Sequence, residues 1–181
     1  MSRLSIPSVE SSVEASKPLL AAVQKQLGVT PNLMKLVGHS PAALEGYLSL
    51  NGALGKGKLP VQLRERIALA IAEYNGCDYC LSAHDFLGRN VAKISATEID
   101  AARDARSEDA RTHTALQFAL RVAQSRGRVS DADLTAVRNA GFDEAEVIEI
   151  VSNVAVNVLT NYINNVAATD IDFPVVRAKT V

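Results

Sequence analysis

The sequence predicts an all-α fold, a bundle of about eight or nine helices, and three observations carry that expectation. Apolar residues recur at steps of three and four, as in Leu19, Leu20, Val23 and Leu27 or Leu116, Ala119, Leu120 and Ala123. Capping side chains stand just ahead of such segments. No stretch alternates apolar and polar residues for long enough to suggest a sheet.

At 181 residues and 48% hydrophobic, the chain can build one substantial core, and we read residues 1–181 as a single domain. Lysine and arginine nearly balance aspartate and glutamate, for a formal net charge of −1, so the basic footprint that nucleic-acid phosphates demand is missing. Neither an export signal nor a membrane span is legible, and a cytoplasmic location is expected. In that reducing compartment a Cys-x-x-Cys points to redox chemistry or metal binding more than to a structural staple.

Residues 1–14 are Ser-rich and aperiodic, and we expect an arm that is flexible until it meets a surface. A helix then runs from Lys17-Pro18 to Leu27, with Gly28 as its left-handed stop. Thr30-Pro31 and Ser40-Pro41 each pair a capping hydroxyl with a first-turn proline and open helices over about 31–38 and 41–54. Three glycines and two lysines between Gly52 and Lys58 read as a mobile loop, since the run lacks phosphate-loop spacing. Pro60 opens a helix that is apolar on nearly every face through Ile67–Ala72 and should be buried, which turns Glu65 inward.

Asn75-Gly76 breaks that helix, and the next is expected from about Cys77 to Leu87, with Gly88 as its stop. Ser95-x-x-Glu98, Ser130-x-x-Asp133 and Asp143-x-x-Glu146 repeat one capping-box signal, with a helix over about 108–126 among them. The last helix, about 143–168, carries an apolar stripe at Val147, Val151, Val154, Val158 and Tyr162. Asn153, Asn157, Asn161 and Asn165 form a second stripe, which reads equally as a buried polar contact, between subunits for instance, or as an uncharged solvated face. After Asp172-Phe173-Pro174 an extended tail, about 172–181, is expected.

The chemistry concentrates between Glu65 and His84. Cys77 and Cys80 are the only two cysteines, and with His84 their spacing of three and four brings all three side chains to one helix face. A thiolate at a helix N-terminus is favoured by the helix dipole and free N–H groups, well below the roughly 8.5 of a free thiol. Side chains three apart on a helix lie about 5–6 Å apart at Cβ, so pairing the two sulfurs should require local distortion. His84 stands one turn from Cys80 and two from Cys77, which makes it the better base for Cys80. The same residues would also suit zinc, but no second Cys or His pair is present, and redox chemistry is the preferred reading. Two cysteines that merely pack is the third alternative. His39 reads as a polar helix end, His113 as solitary, and Tyr47, Phe86 and Phe118 as core or interface aromatics, with Phe86 near enough to His84 to wall an apolar pocket.

Glu65 followed by Cys77-x-x-Cys80-x-x-x-His84 resembles the alkylhydroperoxidase D branch of the carboxymuconolactone decarboxylase family. Looser echoes at Thr30-Pro31-Asn32-Leu33, Asn161-Tyr162-Ile163-Asn164 and Asp172-Phe173-Pro174 resemble its peroxidase-related members. The resemblance implies an all-helical homo-oligomer, a trimer or hexamer, that reduces organic hydroperoxides without a cofactor or metal. It implies Cys80 as the attacking cysteine, Cys77 as the resolving one, His84 as the base and Glu65 as its carboxylate partner. A dihydrolipoyl or other thiol protein would return the electrons. One position departs from the pattern: Tyr79 stands where the characterised enzymes carry histidine, and it is retained as an auxiliary hydrogen-bond donor. The rival functions are a redox-sensing or zinc-binding helical oligomer without enzymatic activity and a general thiol–disulfide oxidoreductase.

Overall fold

The computed structural model describes residues 2–179; Met1 of the arm and residues 180–181 of the tail lie outside the described residues. Among the described residues the chain forms α1 (Lys17–Leu27), α2 (Asn32–Val37), α3 (Pro41–Leu54), α4 (Val61–Tyr74), α5 (Asp78–Asn90), α6 (Ala96–Arg103), α7 (Ala110–Ser125), α8 (Asp131–Asn139) and α9 (Glu144–Ala167), and no strand. The axis of the bundle is α4, which packs against α5, α6, α7 and α9. Its Ile67, Leu69, Ile71 and Ala72 are fully buried, and each large side chain so removed from water contributes about 1.5–3 kcal/mol before entropy is counted. The charges on such a helix need partners. Arg66 meets Glu98 at 3.1 Å and Glu73 meets Arg103 at 2.7 Å, both on α6.

Most starts follow their local signals. Ser40 accepts from the Ala43 amide with Pro41 at the first position. Ser130 and Asp143 close full capping boxes with Asp133 and Glu146. Gly28 is left-handed at φ 76°. Ser95 caps α6, but the Glu98 carboxylate turns away to Arg66, to the Ser107 hydroxyl at 2.6 Å and to the Glu108 amide at 2.9 Å, so the reciprocal half of the box is not made. Before α2, Pro31 rather than Thr30 takes the capping position, because the Thr30 hydroxyl is spent on Gln24 at 2.9 Å.

Three expectations need correction. Helix α5 does not stop at Gly88 but runs on to Asn90. A Cβ on Gly88 would stand 3.3 Å from Ile99 Cδ1, so this glycine lets α6 approach. The glycine-rich run is not a mobile loop: α3 continues to Leu54, and the amides of Lys58 and Leu59 donate to the Glu149 carboxylate at 2.8–3.0 Å. In α9 the anticipated apolar stripe lies along a flank. Asn153, Asn157 and Asn161 face inward with Val154 and Ile150, while Val151 and Tyr162 are exposed. Asn153 and Asn157 satisfy themselves by donating to carbonyls four residues back, at 2.8 Å each.

The two chain ends meet over the end of α9. Arg3 N donates to Ala167 O at 2.6 Å, and the Ser2 hydroxyl accepts from Asp170 N at 2.8 Å. The tail then crosses α2 and α5, where Asp172 Oδ2 accepts from Asn32 N at 2.8 Å.

Because one carboxylate clasps the α3–α4 turn, Glu149→Ala should lower unfolding free energy by about 1–2 kcal/mol, and chemical denaturation will measure it. An unchanged midpoint would show that the loop holds itself.

Candidate active site

The turn between α4 and α5 builds the dithiol. Cys77 N donates to Ala72 O at 2.9 Å, which folds the chain back across the end of α4. Cys77 is not inside α5 but is its N-cap, extended at φ −93° and ψ 91°, and its sulfur accepts from the Cys80 amide at 3.3 Å. Cys77 and Cys80 are joined by a disulfide with a Cα–Cα distance of 5.3 Å, within the ordinary span of such bonds. The expected distortion of the helix is therefore absent, because one partner stands outside it. Both residues are buried, Cys80 at 3% exposure.

Glu65 and His84 come together as the buried carboxylate required. Glu65 Oε2 lies 2.8 Å from His84 Nδ1, and both groups are part-buried. A carboxylate can only accept there, so Nδ1 carries the proton and Nε2 of the neutral ring is left as the basic nitrogen. His84 is one turn past Cys80 on the same face of α5. Tyr47 on α3 stands in the field of Glu65; burial first, and then that carboxylate, pushes its hydroxyl up to about 12.

Tyr79 is committed elsewhere. Its hydroxyl donates to Asp172 Oδ1 at 2.8 Å and accepts from Leu33 N at 3.0 Å, and its ring meets Phe173 edge-on at 5.8 Å. The segments around Asn32 and Asp172 are thus pinned together through Tyr79. Burial holds the phenol protonated far above its ordinary range, with the Asp172 carboxylate adding to the effect and the Leu33 amide opposing it. Phe86 packs on Phe173 at 5.9 Å.

Sequence reasoning met Asn164 only in the Asn161-Tyr162-Ile163-Asn164 echo and gave it no role at the site. It lies on α9, 3% exposed, one place before the end of the anticipated asparagine stripe, and its Nδ2 donates to Cys80 Sγ at 3.2 Å. Its Oδ1 is buried without a partner. Asn161 accepts from Asn75 Nδ2 at 2.9 Å, and Asn165 donates to Asn75 O at 2.8 Å, so three asparagines of α9 hold the turn that carries the cysteines. A groove of about 430 Å³ opens beside them, lined among others by Gly76, Asp78, Tyr79, Asn164, Thr169 and Arg177. Asp78 is held at its rim by Arg177 at 2.7 Å. Among the described residues, no cluster of His, Cys, Asp and Glu is arranged to hold a metal ion.

Removing the Tyr79 hydroxyl strands the Leu33 amide, so Tyr79→Phe should cost about 1–3 kcal/mol in urea denaturation. Both perturbed phenols are raised above the roughly 10 of an unfolded chain. Their burial thus stabilises fully below pH ~10 and is lost as pH rises beyond it, when the unfolded state ionises first. Stability measured from pH 8 to 11 should fall above pH ~10, and less steeply in Tyr47→Phe.

The family model for the carboxymuconolactone decarboxylase family matches residues 41–125. Among curated proteins none matches the chain by sequence. Three solved structures share the fold. One is described as an alkylhydroperoxidase AhpD core, a peroxidase-related protein from Ralstonia eutropha JMP134, with 26% identity, TM-score 0.84, and 94% of this chain and 92% of that one covered. A peroxidase-related protein from Silicibacter sp. TM1040 has 22% identity, TM-score 0.81, and coverage of 93% and 91%. The debrominase Bmp8 has 20% identity, TM-score 0.77, and coverage of 94% and 91%. Over residues 41–125 the chain is thus similar to the carboxymuconolactone decarboxylase family, and over nearly its whole length its fold is that of an alkylhydroperoxidase AhpD core.

Proposed function

We propose that this chain is a thiol-dependent peroxidase that reduces organic hydroperoxides through Cys80 and Cys77. The observation that carries the reading is the Glu65–His84 hydrogen bond, which leaves a basic imidazole nitrogen one turn from a cysteine already paired with its neighbour. In the reduced protein His84 Nε2 takes the Cys80 thiol proton, and Glu65 fixes the tautomer and stabilises the imidazolium. The thiolate attacks the terminal oxygen of R–O–O–H. An S–O bond forms as the O–O bond breaks, sulfur loses two electrons to the peroxide, and the leaving alkoxide takes a proton from the imidazolium to depart as alcohol. Cys77 then attacks the sulfenic acid, and its own proton leaves with the expelled hydroxide as water.

The disulfide of this structure corresponds to the end of that sequence. A dithiol reductant, of the dihydrolipoyl class or another thiol protein, would reopen it by exchange. A zinc site would require both sulfurs as free thiolates, whereas here they are bonded to each other. Assembly belongs to the same proposal. Ile148, Val151, Leu159, Tyr162 and Val166 are exposed along one face of α9, at steps of three, eight, three and four, on the side opposite the inward asparagines. A contiguous apolar face of this kind suits burial against further copies of the chain, as in a trimer or hexamer.

Peroxide consumption with a dihydrolipoamide donor should disappear in Cys80→Ser and stop after one sulfenic acid in Cys77→Ser. His84→Ala should lower the rate about 100-fold or more. Reduction of protein disulfides with no peroxide turnover would point instead to a general thiol–disulfide oxidoreductase. Sedimentation should show an oligomer that Leu159→Glu converts to smaller species.

A further inference from the structure

The carboxamide of Asn164 has one end on the reactive sulfur and the other end unused. Nδ2 donates to Cys80 Sγ at 3.2 Å, while Oδ1 is buried with no partner. A second buried atom without a partner, the Thr169 hydroxyl, belongs to the same groove. The two are held by one turn, because Thr169 N closes onto Asn164 O at 3.2 Å. An orphaned buried acceptor costs about 1–3 kcal/mol, which a ligand carrying an O–H would recover. The groove also runs past Gly76, Asp78 and Tyr79, where the first-turn amides of α5 lack intrahelical partners and favour negative charge.

We infer that Asn164 is a further catalytic residue: it donates to the Cys80 thiolate, and its Oδ1 receives the O–H of a hydroperoxide admitted by this groove. The inference rests on the peroxidase reading for its substrate, but not for its effect on the thiol. Asn164 N–H stabilises the thiolate before attack. As the S–O bond forms and the O–O bond breaks, the accepted hydrogen stays on the oxygen that becomes sulfenic acid, so the same bond holds substrate and product. The alkoxide, protonated to the alcohol by the His84 imidazolium, departs along the groove, whose walls combine polar groups at Asn75, Asp78, Asn165, Thr169 and Arg177 with apolar ones at Tyr79, Ala168 and Ile171. Nothing else within the described structure donates a side-chain hydrogen bond to Cys80.

Two measurements test this separately. In a Cys77→Ser background, the pH dependence of Cys80 alkylation by iodoacetamide reads the thiolate without any peroxide. Adding Asn164→Ala should slow alkylation at pH 7 about tenfold and move its midpoint upward, with circular dichroism unchanged; an unmoved midpoint in a folded variant overturns the thiolate role. Sulfenic acid formation is then followed at a pH above both midpoints, with hydrogen peroxide and cumene hydroperoxide. Asn164→Ala and Thr169→Val should each slow the reaction with both peroxides about fivefold or more. Unchanged rates overturn the groove as the site of entry. Should the parent protein react with neither peroxide, the peroxidase reading and the substrate half of this inference both fail, while the alkylation result still decides the thiolate half.

Discussion

A helix buried on every side imposes the condition from which the rest follows. Removing the middle of α4 from water is what makes the bundle cohere, and it leaves little solvent around the charges α4 carries. Three of the four, Glu65, Arg66 and Glu73, pair with a neighbouring helix. Arg66 and Glu73 find theirs on α6, which fixes that helix against the axis. Glu65 finds His84 on α5, and the pairing also orients the imidazole one turn along the helix from Cys80. On the proposed function, stability and chemistry would draw on the same contact.

The turn joining those two helices is held from α9 rather than by its own sequence. Asn75 is bonded by Asn161 and Asn165, and Cys80 by Asn164, so one face of the longest helix serves as the polar floor of the dithiol. This explains why asparagine occupies an inward face where an aliphatic residue would pack better. The outward face carries exposed apolar residues instead, the surface on which the proposed assembly would rest.

Local signals were readable from the sequence: the Gly28 stop, the caps at Ser40, Ser130 and Asp143, the buried α4 and the inward turn of Glu65. What escaped depends on partners remote in the chain. Gly88 looks like a helix stop until Ile99 is seen against it. The glycine-rich run looks mobile until Glu149 reaches it across 91 positions. Asn164 carries no mark of its contact with Cys80, 84 residues away, and periodicity favoured the neighbouring stripe because apolar residues lined the wrong flank. Cys77 stands outside the helix as its cap, a position that spacing alone does not distinguish from a first helical residue.

The C-terminal segment also grips both sides of Cys80. The Asp78 carboxylate takes the Ala178 amide and the Arg177 guanidinium, and Ser82 exchanges hydrogen bonds with Val176. Asp172 anchors the same segment through Tyr79. A protease cut between Asp172 and Val176, far from the cysteines in sequence, would therefore loosen the flanks of a sulfur that it never touches. Damage to this strap would register first as altered thiol reactivity, ahead of any loss of helix.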